Sequence, residues 1–228
     1  SRSKEWELGI HIADVAFFVP PDSPLDQEAR ARGNSAYLPR LVLPMLPEVL
    51  SNGVCSLQPG VERMAKSVFV TLDSKGKVLR ERFAATVIRS AKRFTYREAQ
   101  AVIDGDLSAA EGFARTAAEY PDELIEALRM SDRLAKIIQT RRRRDGMIHL
   151  DLPDVDLVFA EDGRVVDAVP EDDAFTHTLI EMFMVEANEA VGRLFAKLEV
   201  PVLRRTHPDP RWGDIQQLRI AARNAGMD

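Results

Sequence analysis

Two β-patterned runs, residues 67 to 72 and 78 to 88, flank Asp73-Ser74-Lys75-Gly76, and that arrangement makes the chain fold back on itself as an antiparallel hairpin. Residues 6 to 19 alternate as a third strand does, with Trp6, Leu8, Ile10 and Ile12 on one side and Glu7, Gly9, His11 and Ala13 on the other. A second hairpin is expected over residues 155 to 168, with Glu161-Asp162-Gly163 at its turn. Helical spacing takes over elsewhere. Thr95 and Glu98 stand at capping-box distance, which predicts a helix start. Pro121 opens a long helix striped by Leu124, Ile125, Leu128, Leu134, Ile137 and Ile138, and this helix ends in four arginines before Gly146. Residues 176 to 198 predict another, with Ile180, Met184, Ala187, Val191, Leu194 and Leu198 buried, and residues 215 to 224 a last one. The proline-rich stretch from Pro20 to Pro59 has little periodicity apart from a short helical turn over Asp26 to Arg32, so an ordered, winding segment is expected there. No internal repeat or flexible linker interrupts the pattern. The expectation is one domain over residues 1 to 228, of the α+β class, with a mixed, largely antiparallel sheet flanked by long helices.

A chain of 228 residues buries roughly 70% of its unfolded surface, enough for a substantial core. The single cysteine, Cys55, allows no internal disulfide, and no apolar segment approaches the roughly 20 residues that span a bilayer. A cytoplasmic protein outside the membrane is the expectation. With a formal net charge of −5, attraction of nucleic acid through overall charge is excluded, so any phosphate binding must rest on local clusters. Candidates are Arg30, Arg32 and Arg40; Arg89, Lys92, Arg93 and Arg97; and Arg141 to Arg144, although the last group also suits the negative end of its own helix.

Generic catalytic signatures are absent: there is no phosphate-cradling glycine loop, no nucleophile elbow and no paired Cys or His set with metal-ligand spacing. The four histidines, His11, His149, His177 and His207, are too scattered along the chain to define a site. Asp151, Asp154 and Asp156 offer the oxygen donors that a hard cation takes, but their strand context explains them equally well as an exposed polar edge. No metal site is assigned.

The specific signal lies between Ile12 and Pro59. The runs Ile12-Ala13-Asp14-Val15, Leu25-Asp26-Gln27-Glu28-Ala29-Arg30-Ala31-Arg32-Gly33-Asn34-Ser35-Ala36-Tyr37-Leu38-Pro39 and Pro44-Met45-Leu46-Pro47-Glu48-Val49-Leu50-Ser51-Asn52-Gly53-Val54-Cys55-Ser56-Leu57 resemble the catalytic domain of the ribonuclease II and ribonuclease R family. Agreement continues through Ala91-Lys92-Arg93-Phe94-Thr95-Tyr96, the arginine-ended helix, and Leu179-Ile180-Glu181 to Ala187-Asn188. The resemblance implies a 3′-to-5′ exoribonuclease that hydrolyses single-stranded RNA to nucleoside monophosphates. It implies magnesium held by an aspartate cluster, which activates water and neutralises charge on the phosphorane. In the family that acidic motif lies just before the strand that opens this chain, and Ser1 to Trp6 do not reproduce it, so the resemblance sets the aspartate cluster upstream of Ser1. An arginine-bearing motif lies near the end of the family's domain. On this reading residues 1 to 228 are a central portion of the domain, with no catalytic residue of their own, expected to be inactive alone. The remaining segments and flanking RNA-binding β-barrel modules would then be partners within a larger protein.

Three positions match RNA-handling groups of the family. Tyr37 corresponds to the tyrosine that stacks on a base near the 3′ end, and Tyr96 and Glu181 to a tyrosine and a glutamate that contact the terminal sugars. The family's second clamp aromatic aligns with Leu150, and a leucine cannot stack as a phenyl ring does. That departure keeps open an alternative, a non-catalytic RNA-binding or scaffold relative of the same fold.

Overall fold

Strand β4 (Glu62–Leu72) buries Ala65, Ser67, Val68, Val70 and Leu72, so both its edges and at least one face need cover. Its edges are taken by β1 (Trp6–Ala13) and β5 (Val78–Arg89), both antiparallel to it. The register sets Leu8 opposite Val70 and Ile10 opposite Val68, which places the apolar side chains of β1 on the inner face. The computed structural model describes residues 5–38, 41–148, 155–170, 172–206 and 208–227, with only the backbone of Asp156. Ser1, next to which the resemblance sets the family's aspartates, lies outside the described residues, as do Arg2, Ser3 and Lys4. So do His149, Leu150, Asp151 and Asp154, together with the Asp156 side chain.

The expected hairpin between β4 and β5 is present. Asp73 fixes its turn by accepting from the amides of Lys77 and Lys75, and these two bonds hold its carboxyl below the usual carboxylate range. Gly76, at φ 79°, is required there twice over: the left-handed backbone disfavours a side chain, and a Cβ would come within 3.0 Å of Ile137 Cγ2. Ile137 lies on helix α5 (Asp122–Arg144), one of two long helices that cover the sheet. Leu134, Ala135 and Ile138 of α5 join Leu179, Met182, Phe183, Ala187 and Ala190 of the second long helix, α6 (Phe175–Leu198), in one core with Leu8, Ile10, Val68, Val70 and Leu72.

The strand expected over residues 6 to 19 stops at Ala13. Asp14, 4% exposed, ends it by capping the short helix α1 (Val15–Phe18) through the Phe17 amide and by pairing with Lys66 at 2.8 Å. The winding segment contains α2 (Pro24–Arg32), a ribbon of β2 (Ala36–Leu38) and β3 (Leu41–Leu43), and a π-helical turn, Val49–Val54. Helix α3 (Tyr96–Asp104) has both halves of its capping box, with Glu98 N donating to Thr95 Oγ1 at 3.1 Å and Thr95 N to Glu98 Oε2 at 3.2 Å. It packs with α4 (Leu107–Phe113) in a second, smaller core of Ala101, Val102 and Ala110, flanked by Phe94, Phe113, Tyr120, Ile125 and Leu128. The second expected hairpin is β6 (Val155–Phe159) with β7 (Val165–Pro170). The fold is thus α+β, with strands paired antiparallel in separate sheets.

The inner face of α6 departs from its apolar periodicity. Ile180, Met184 and Leu198 are 44%, 36% and 58% exposed, whereas Thr176 and Glu186 are buried. Two polar anchors set the rotation: Thr176 Oγ1 donates to the carbonyl of Tyr96 at 2.8 Å, and Glu186 accepts from Arg141 and Arg142 of α5. A buried acid that meets two guanidinium groups outweighs a partly exposed Ile or Met.

Close contacts divide the chain into residues 1–191, which hold all of the elements above except the end of α6, and residues 192–228. The smaller unit carries α7 (Trp212–Asn224), close to the expected last helix, and Arg204 donates to the Gly192 carbonyl at 3.3 Å within it. Among the described residues no helix is long and apolar enough to cross a membrane.

Candidate nucleic-acid interface

Because the Thr95 cap starts α3 at Tyr96, this ring stands at the head of the helix, 43% exposed. One face of the ring is taken by His177 of α6, stacked with centroids 3.8 Å apart and planes 25° from parallel. His177 is itself held by Asp172, whose Oδ2 lies 3.4 Å from Nε2 and whose Oδ1 accepts from the Ala174 amide at 3.1 Å. Glu181, exposed to solvent, is four residues beyond His177 and therefore on the same face of α6, about 6 Å along it. The fold thus stacks Tyr96 on His177, whose helical face also carries Glu181.

A pocket of about 610 Å³ opens beside this stack, lined by Tyr96, His177, Asp172, Arg93, Arg97 and Arg115. Arg97 lies over the Phe113 ring at 4.2 Å, an arrangement that leaves the guanidinium edge to hydrogen-bond. The carboxylate beneath does not cancel these charges, because Glu98, fully buried, is paired with Lys92 at 3.0 Å. Tyr120 donates to the same carboxylate at 3.1 Å, and burial together with that bond pushes its phenol up to about 12. Lys92 also donates to the Ala117 carbonyl at 2.5 Å, so it ties the head of α3 to the loop before α5 and is withdrawn from any phosphate. Its membership in a phosphate-binding cluster is therefore corrected.

Arg141 to Arg144 do not form the phosphate-binding cluster expected from the sequence. Arg141 and Arg142, 11% and 19% exposed, pair with Glu186 inside the protein, and Arg142 also pairs with Glu189 at 2.7 Å. Arg144 is exposed and pairs with Asp145 at 3.3 Å. The helix end is a structural clamp more than a basic patch.

Tyr37 is the middle residue of β2, opposite Val42, and is 78% exposed. The ribbon is anchored at its base, where Ser35 Oγ accepts from the Met45 amide at 2.9 Å and Arg32 donates to the Pro44 carbonyl at 3.1 Å. Among the described residues no hydrogen bond or ring contact joins Tyr37 to Tyr96 or Glu181. Leu150, the remaining sequence candidate, lies outside the described residues, as does the Asp151, Asp154 and Asp156 cluster. The same holds for Ser1, so the expectation of an aspartate cluster upstream of Ser1 has no structural counterpart among the described residues.

No group of three or more His, Cys, Asp or Glu among the described residues is placed to hold a metal ion. The buried carboxylates are committed elsewhere: Asp14 to Lys66, Glu98 to Lys92, Asp132 to Lys136 and Glu186 to Arg141 and Arg142. These residues do not fit a magnesium site.

Sequence reasoning did not single out His177, Asp172 and Arg115, which the structure sets around Tyr96. The signal for His177 was its place four residues before Glu181, which puts both on one helical face.

The RNB domain family model matches residues 1–227. Ribonuclease R 2 of Lactococcus lactis is 36% identical over 97% of this chain, which spans 33% of that protein. Ribonuclease R of Escherichia coli is 34% identical over the whole chain, which spans 27% of it. The solved structure of Mycoplasma genitalium RNase R in complex with ribose-methylated single-stranded RNA superposes with a TM-score of 0.86 at 28% identity, covering 96% of this chain and 33% of that one. The chain spans about a third or less of these relatives, and over nearly all of its own length it belongs to the RNB domain family.

Proposed function

We propose that this chain works in RNA degradation, as part of a hydrolytic 3′-to-5′ exoribonuclease that releases nucleoside monophosphates from single-stranded RNA. The observation that carries the reading is Tyr37. A tyrosine kept for the core would be buried with a bonded hydroxyl; this one stands 78% exposed on an anchored two-stranded ribbon, with its ring free to meet a base. Stacking on an aromatic face tolerates every base, which suits an enzyme that removes each nucleotide in turn. The pocket beside Tyr96 is lined by Arg93, Arg97 and Arg115, and such cations support the reading because they suit phosphates that accompany a sugar held by Tyr96 and Glu181. Magnesium, the family's aspartates and the arginine-bearing motif belong to the proposal as contributions from outside the described residues.

In the parent protein, Tyr37→Ala is expected to weaken binding of a single-stranded RNA by about 5- to 150-fold, from the 1–3 kcal/mol typical of one base–aromatic stack. Tyr37→Phe should bind as the parent does. The measurement is equilibrium binding of a fluorescently labelled strand at fixed salt. Equal affinity for the alanine variant and the parent would remove Tyr37 from the RNA path.

A further inference from the structure

A half-exposed tyrosine at the head of a helix is free to swing between rotamers, and a swinging hydroxyl cannot read a sugar. Tyr96 is held at its backbone by one contact and at its ring by another. Its carbonyl accepts from Thr176 at 2.8 Å, and its ring lies flat against His177 at 3.8 Å. His177 is in turn kept from rotating by Asp172, which the Ala174 amide holds. The sequence backbone amide, carboxylate, imidazole, phenol is a line of contacts that runs from the loop before α6 to the ring at the head of α3. It has a second consequence. With one face covered by the imidazole, Tyr96 offers a nucleotide only its other face and its hydroxyl edge.

We propose that His177 is a positioning residue for RNA specificity: its stacked ring fixes the direction in which Tyr96 presents its hydroxyl to the ribose, and Asp172 fixes His177. The groups that face His177 are Tyr96 and Asp172, with Arg93, Arg97 and Arg115 on the walls of the same pocket. None of these needs to exchange a proton for the role. This inference rests on the reading of Tyr96 as a sugar contact, and the test separates the two.

The test compares kcat/KM on matched RNA and DNA strands for the parent protein and for Tyr96→Phe, His177→Ala, His177→Leu and His177→Phe, with thermal melts for each. His177→Ala is expected to reduce the preference for RNA by about five-fold or more, the scale of one misdirected hydrogen bond. His177→Leu, which fills the space without a flat ring, should behave alike, and His177→Phe, which restores a stacking plane, should recover most of the preference. A variant that merely loosened the fold would lower activity on both strands and leave the ratio alone. If Tyr96→Phe relaxes the preference while His177→Ala and His177→Leu keep it, the positioning role is wrong and the sugar contact stands. A His177→Phe protein no better than His177→Leu also overturns the stacking role. Should Tyr96→Phe itself keep the preference, the sugar reading fails and the role of His177 fails with it.

Discussion

Glu186→Ala is expected to destabilise the protein by about 3–5 kcal/mol, the cost of removing one partner from a buried ion pair. Glu186 is fully buried, and its Oε1 accepts from Arg141 and, at 3.0 Å, from Arg142. Arg141 also donates to the Gly76 carbonyl at 2.6 Å, so one cluster ties α5 to α6 and to the turn between β4 and β5. Taking the carboxylate away leaves two guanidinium groups, 11% and 19% exposed, close together with their shared counter-charge gone. Glu186 Oε2 has no hydrogen-bond partner among the described residues, so the clamp is tight on one oxygen and unsatisfied on the other. Replacing Glu186, Arg141 and Arg142 together with apolar residues of similar volume is therefore expected to cost far less than the single substitution. Urea unfolding of the three proteins checks both statements. A loss under about 1 kcal/mol for Glu186→Ala would place the cluster among surface pairs, whose worth is of that order.

Tyr96→Phe and Glu181→Ala should each relax the preference of the parent protein for RNA over DNA by about ten-fold or more. The 2′-hydroxyl both donates and accepts, and it distinguishes the two polymers at a given site. A carboxylate at 181 accepts, a phenol at 96 donates or accepts, and Tyr96 stacks on His177, which shares a helical face with Glu181. A deoxyribose leaves them without a partner, at roughly 1–3 kcal/mol for a neutral group and more for a charged one. The competing account is that Glu181, beyond the first turn of α6, is a solvent-exposed helix residue that contributes nothing to specificity. Matched RNA and DNA strands assayed on folded variants decide between them: normal discrimination in both variants leaves Glu181 a helix residue and Tyr96 a packing one.

Period and turn chemistry made much of the fold legible. The β4–β5 hairpin, the Thr95 cap and the spans of α5 and α6 all lie where the sequence puts them, because each is set by local residues. The β2–β3 ribbon and the π-helical turn were not legible, since three-residue strands have too few side chains to show a period. The face of α6 was misread for a different reason. Apolar spacing pointed to Ile180 and Met184, but an acid that pairs across to another helix is invisible to a single-helix pattern, and Glu186 fixed the rotation. The same blindness made Arg141 and Arg142 look like a basic patch and Lys92 like a phosphate ligand. At the candidate site, motif matching nominated Tyr37, Tyr96 and Glu181 one by one. What it could not give was the stack of His177 on Tyr96, which depends on two helices 80 residues apart in the chain being joined by the Thr176 bond.

The most direct test is the fate of a 5′-labelled single-stranded RNA incubated with the purified parent protein and magnesium, followed on a sequencing gel with chromatography of the released products. The expected result is a ladder that shortens from the 3′ end one nucleotide at a time, with nucleoside monophosphates as products, and no shortening when the 3′ end is blocked. A protein that binds the strand and leaves it intact, or that cuts it internally, is not a 3′-to-5′ exoribonuclease, and the first outcome points to an RNA-binding relative that has kept the fold without the chemistry.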